Sequence, residues 1–243
     1  MIFPIGDTQV TGGYKPIFSY AFIALNVVVW FLQLSTPGNL ICDWAVIPNN
    51  ITGGRELPTL ITSMFMHGGW MHLIGNMLFL WVFADNIESR IGSFWFVIFY
   101  IIGGLSASLA HIGFDAFFST EIANCCSPCL SNCSPSGTVS ACPGSVPSLG
   151  ASGAIAACLG AYVVMFPKSQ IKMIFVLFFK TFYIPAILFL GFWFLQQFFS
   201  GVGSLGKGVA GGGVAWWAHI GGFVFGLVVG FFLRGKYGGF PKA

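Results

Sequence analysis

Charge is what this sequence has least of. Asp, Glu, Lys and Arg together make up 7% of its 243 residues, where a soluble globular domain carries roughly 25%. That shortfall excludes a fold whose surface is solvated by ionised side chains. The net charge of +3 is small and scattered along the chain, so no basic stripe for nucleic acid is expected. The first residues, Met1-Ile2-Phe3-Pro4-Ile5-Gly6-Asp7, lack the basic n-region and small-residue cleavage site of a secretory signal. They also lack the Arg/Ser richness of a transit peptide. No internal repeat is visible, which weighs against a transporter that uses intramembrane histidines as a proton relay.

What is present is apolar. Hydrophobic residues make up 56% of the chain and aromatic residues 17%, the composition of an integral membrane protein. At about 20 residues per span, there is room for about six or seven helices and little else. Six segments can be marked, at roughly 17–34, 68–84, 94–112, 151–166, 173–199 and 216–233. The expectation is an all-α membrane protein, a six-transmembrane-helix bundle over 17–233. A short cytoplasmic N-terminal segment (1–16) precedes it and a cytoplasmic tail (234–243) follows. Residues 115–149 interrupt the pattern with Pro, Ser and five of the seven cysteines.

Orientation follows from Lys and Arg in the short loops. With both termini inside, the cytoplasmic side receives Lys15, Arg90, Lys168, Lys172, Arg234, Lys236 and Lys242, seven against Arg55 and Lys207 outside. Lys180 falls within the fifth segment. The Cys-rich loop is then extracytoplasmic, where disulfides persist. Its spacing, Cys125-Cys126-x-x-Cys129-x-x-x-Cys133 and then Cys142, also allows metal binding. Five is an odd number, and Cys42, on the same side, is a candidate partner.

The same orientation brings four polar residues to one depth: His72 and Asn76 on the second segment, Ser152 opening the fourth, and His219 opening the sixth. Each has a structural reading and a chemical one. Ser152, in Gly150-Ala151-Ser152-Gly153, is either a small residue at a helix contact or a nucleophile beside a base. His219 lies on a stripe with Gly222, Gly226 and Gly230 that lets helix backbones touch. There it either hydrogen-bonds a neighbouring helix or takes a proton from serine. His72 and Asn76, four residues apart, share a helix face. They form either a polar clamp or a donor pair for a developing oxyanion. His67 reads as structural. No Asp or Glu lies near the outer ends of the fourth or sixth segment, so the expected unit is a dyad rather than a triad.

Taken together, His67-(four)-His72-(three)-Asn76, Gly150-Ala151-Ser152-Gly153 and Ala218-His219-Ile220-Gly221-Gly222 resemble the rhomboid intramembrane serine proteases, in order and over most of the chain. The resemblance implies a rhomboid-like helical bundle with Ser152 as nucleophile and His219 as general base. It also implies an oxyanion site made by His72, Asn76 and the Ser152 backbone N–H. Substrates would be single-pass membrane proteins cut within or next to their span. No cofactor and no metal are expected, and the bare six-helix form points to a bacterial inner membrane. An inactive rhomboid-like client-binding protein is the alternative, although such a protein would normally lack the serine or the histidine. Two positions depart from the pattern. Leu57-Pro58-Thr59 stands where many relatives carry a Trp-Arg pair, and Ala156 stands where some carry a tyrosine that stacks on the histidine.

Overall fold

Apolar runs with small residues on one face set the frame of this computed structural model, which describes residues 2–8, 13–36, 40–118, 129, 142, 144–204 and 214–237. The long helices are α1 (Ile17–Ser35), α2 (Trp70–Ile91), α3 (Ser93–Phe118), α4 (Ser152–Met165), α5 (Ala186–Ser204) and α6 (Trp216–Tyr237). Four of them, α1, α3, α5 and α6, are long and apolar enough to cross a membrane. The 14 residues of α4 rise only about 21 Å at 1.5 Å per residue, short of a hydrocarbon core of about 30 Å. The chain is a predominantly helical integral membrane protein.

At the centre of the bundle is α4, with 12 of its 14 residues buried. Its small side chains let α6 approach until the backbones touch. A Cβ on Gly222 would collide with the Gly153 carbonyl, and one on Gly226 with the Ala157 carbonyl. Leu80, Phe83, Phe96 and Tyr100 from α2 and α3 close the other sides, all fully buried.

Two segments depart from expectation. The second helix does not stop at the polar run Asp85-Asn86-Ile87-Glu88-Ser89-Arg90 but continues through it to Ile91. The reason is that these side chains bond to neighbouring elements. The buried Glu88 carboxylate accepts hydrogen bonds from Phe18 N (2.9 Å), Ser19 N (2.7 Å), Ser19 Oγ (2.7 Å) and Ser93 Oγ (2.5 Å). It thereby satisfies the exposed amides that open α1. Asn86 Nδ2 donates to Asp7 Oδ2 at 2.5 Å, and the Tyr162 hydroxyl donates to the same oxygen.

The fifth apolar segment is helical only in its second half. Residues Gln170–Phe175 form β2 and Lys180–Pro185 form β3, a hairpin before α5. Along β2, Ile171 and Met173 are buried while Gln170 is exposed, the period-two pattern of a strand. Pro185 would break a helix interior, and α5 starts immediately after it. The sheet is completed by β1 (Ile2–Asp7), antiparallel to β2 with Ile2 opposite Phe175, in the order β1-β2-β3. Lys180 is therefore a strand residue, opposite Phe175 at the turn of the hairpin.

At the opposite end, residues 40–66 form short helical turns, Leu40–Trp44, Pro48–Thr52 and Thr59–Thr62, that cradle the approach to Ser152. Val46 and Ser148 exchange backbone hydrogen bonds of 2.9 and 2.7 Å, and Asn49 N donates to Gly144 O at 2.9 Å. The backbone ahead of α4 is thus paired with protein, as lipid-depth loops must be. A Cys42–Cys129 disulfide ties these turns to the connection between α3 and α4, Cys142 is disulfide-bonded as well, and Cys158 is a buried free thiol. Cys125, Cys126, Cys133 and residues 205–213 and 238–243 lie outside the described residues.

Candidate active site

The site begins with a backbone turn. Gly150 has φ +123°, a conformation that side chains rarely adopt, and its N–H donates to Ser63 O at 2.9 Å. A Cβ there would lie 2.7 Å from His72 Nε2 and 3.5 Å from Asn76 Nδ2. A glycine is required by space as well as by torsion. The turn delivers the chain to α4 with Ser152 in its first turn, beside the imidazole and amide of α2.

Ser152 and His219 meet. Ser152 Oγ and His219 Nε2 are 2.8 Å apart, across 67 residues of sequence. Their approach follows from the α4–α6 contact. Gly222 sits against Gly153, so the residue one position before Gly153 and the one three positions before Gly222 are held at the same level. Nothing bulkier than glycine at 222 would let the two backbones come so close.

His72 and Asn76 each have a set orientation. Gly68 N donates to His72 Nδ1 at 3.3 Å, which makes Nδ1 the acceptor and leaves the hydrogen on Nε2, the nitrogen facing Gly150. Asn76 Nδ2 donates to His67 Nε2 at 3.0 Å, keeping its amide turned toward the turn. His67 is itself fully buried and clamped: Gln33 of α1 accepts from its N–H at 2.9 Å and donates to its carbonyl at 3.0 Å. Burial, with the neighbouring His72 ring adding to it, lowers the pKa of His67 to about 4. A neutral ring is what accepting from Asn76 requires.

A residue not singled out from sequence completes the cluster. Gln197 on α5 is buried, and its Oε1 lies 2.7 Å from His219 Nδ1. Trp193, one turn earlier on α5, places its ring 5.9 Å from that of His219, and the Trp216 ring stands edge-on at 6.4 Å. The signal for Gln197 was a costly amide within a Phe-rich membrane segment, but Gln196 beside it carries the same signal and is exposed. A hydroxyl hydrogen-bonded to an imidazole, facing donors held by a tight turn, has the parts for acyl transfer.

Comparison with known proteins agrees in kind. The Rhomboid domain profile matches residues 54–236. The chain is 29% identical over 204 residues to the rhomboid protease GluP of Bacillus subtilis (strain 168), covering 82% of this chain and 34% of that protein. It is 26% identical over 220 residues to mitochondrial Rhomboid protein 1 of Saccharomyces cerevisiae, covering 88% of this chain and 52% of that one. It is also 26% identical over 98 residues to the rhomboid protease GlpG of Klebsiella pneumoniae, covering 40% of this chain and 36% of that one. The chain thus spans between a third and about half of the length of these relatives.

Proposed function

The chain belongs to the rhomboid family, and on that premise we propose that it is an intramembrane serine endopeptidase. Ser152 is the nucleophile and His219 the general base. The observation that carries this reading is the 2.8 Å contact between Ser152 Oγ and His219 Nε2 in a bundle whose surroundings are apolar. Attack of Oγ on a substrate carbonyl passes the hydroxyl proton to Nε2. The oxyanion is received by His72 Nε2–H, Asn76 Nδ2–H and the backbone N–H of Ser152. Collapse of the tetrahedral species breaks the C–N bond, with the proton returned from His219 to the leaving amine, and water then hydrolyses the acyl-enzyme.

A carbonyl inside an intact helix is hydrogen-bonded and shielded, so the substrate segment must unwind to reach Ser152. Single-pass membrane proteins with helix-destabilising residues near the outer end of their span fit that requirement. The orientation that agrees with the distribution of basic residues puts both termini in the cytoplasm, with Lys180 now joining Lys168 and Lys172 on that side. A bacterial inner membrane suits this reading.

The test is co-expression with a panel of single-span reporters. The wild type cleaves at least one of them, and Ser152→Ala and His219→Ala abolish the product. Labelling of the wild type by a serine-directed phosphonate, and not of Ser152→Ala, separates an active protease from a client-binding relative. Undiminished cleavage by both variants would end the proposal.

A further inference from the structure

His219 has two ring nitrogens, and only one of them faces the serine. Nε2 is 2.8 Å from Ser152 Oγ, and Nδ1 is 2.7 Å from Gln197 Oε1. We propose that Gln197 is the positioning residue of the general base: its amide carbonyl accepts Nδ1–H and so fixes both the tautomer and the ring plane of His219. This rests on Ser152 and His219 being the catalytic pair.

The chemistry of a neutral imidazole requires such a device. It carries one N–H and one lone pair, and only the tautomer with hydrogen on Nδ1 presents Nε2 as an acceptor to Ser152. In soluble serine proteases a buried carboxylate makes that selection. Here the Nδ1 partner is an amide, which selects the tautomer without placing a charge in an apolar interior. When the Ser152 proton moves to Nε2, the imidazolium keeps its Nδ1–H on Gln197 and later delivers the Nε2 proton to the leaving nitrogen. Among the described residues, the titratable groups acting on His219 from other elements are His72 on α2 and His111 on α3. Both are imidazoles, and neither supplies a counter-charge.

The source of this support is α5. Ala156, one turn after Ser152 on α4, is too short to reach the ring. Trp193 and Gln197 instead approach it from α5, four residues apart on one helix face. The nucleophile and its base are thus placed by the α4–α6 contact, while the base is aimed by α5. A shift of α5 away from α6 removes the acceptor from Nδ1 before it moves Ser152.

Three variants in detergent or proteoliposomes test this. Gln197→Met removes the acceptor at nearly constant volume and is expected to lower kcat roughly 10- to 100-fold with KM within about twofold. That is less than the ~10⁴-fold seen when a triad carboxylate is lost, because a neutral amide stabilises the imidazolium less. Gln197→Glu restores an acceptor and adds a charge that favours the imidazolium. The acid limb of its kcat profile therefore moves to higher pH, by about one unit, with turnover recovered above it. Gln196→Ala, on the exposed neighbour, leaves both unchanged. Histidine ¹⁵N shifts, with the His219 signal assigned by its absence in His219→Ala, report Nδ1–H in the wild type and loss of that preference in Gln197→Met. Wild-type kcat and an unchanged tautomer in Gln197→Met overturn the inference, as does a Gln197→Glu profile that superimposes on the wild type. If Gln197→Met does not fold, the Gln197→Glu profile decides. A wild type that neither cleaves reporters nor reacts with the phosphonate ends the protease reading, while the ¹⁵N shifts still decide whether Gln197 selects the tautomer.

Discussion

The helices α4 and α5 serve the same histidine from different surroundings. In α4, 12 of 14 residues are buried and the exposed face all but vanishes. In α5, four of 19 are buried, Ala186, Leu190, Gln197 and Gly201, while Ile187, Leu188, Phe192, Leu195 and Phe199 look outward. The first helix is fixed by backbone contact, where one added methyl group causes a collision. The second is held by a few side chains along one stripe, with lipid on the rest. On the proposed reading, the nucleophile is kept rigid while part of the support for its base sits on an element that borders the bilayer.

The largest expected effect comes from separating the α4–α6 backbones. Gly226→Leu should abolish detectable reporter cleavage and lower the thermal midpoint. Gly191→Leu on α5, where a Cβ meets nothing within 4 Å, should leave both near wild type. Equal loss in the two variants would erase the contrast drawn between these helices. Next in size is Asn76→Ala, expected to lower kcat about 10²-fold, the usual cost of one oxyanion donor, at nearly unchanged KM. Glu88→Ala addresses stability instead: two backbone amides and two hydroxyls lose their acceptor. A loss of about 2 kcal/mol is expected for such buried groups, measured by denaturant titration in micelles. The smallest effect is predicted for Phe192→Leu on the lipid-facing side of α5, with activity within about twofold.

The helical frame was legible because lipid demands long apolar runs: α1 and α4 end within a residue of the marked segments, while α3 and α6 start there and run on to Phe118 and Tyr237. The polar run at 85–90 misled because side chains that would end a helix in water instead bond across the bundle. The hairpin at 170–185 was hidden inside one apolar run, where alternation in Gln170-Ile171-Lys172-Met173 was outweighed by the Phe-rich sequence after it. The meeting of Ser152 and His219 could be anticipated from the glycine stripe on α6, since a close backbone contact leaves few relative placements. Gln197 could not, because sequence does not say which of two adjacent amides faces inward. The Cys42–Cys129 bridge was open as one pairing among several, since connectivity is not a property of spacing.

The pairing of β1 with β2 also constrains how the chain is threaded. A strand at 2–7 and a strand at 170–175 can share hydrogen bonds only if both lie on the same face of the bilayer. The number of crossings between them is therefore even. Two of the helices in that interval, α1 and α3, are long and apolar enough to cross by themselves. Among the described helices, parity then obliges α2 and the short α4 to behave alike: both cross or neither does. The fates of the polar-ended α2 and the enclosed α4 are thereby tied together by arithmetic that hydropathy could not supply.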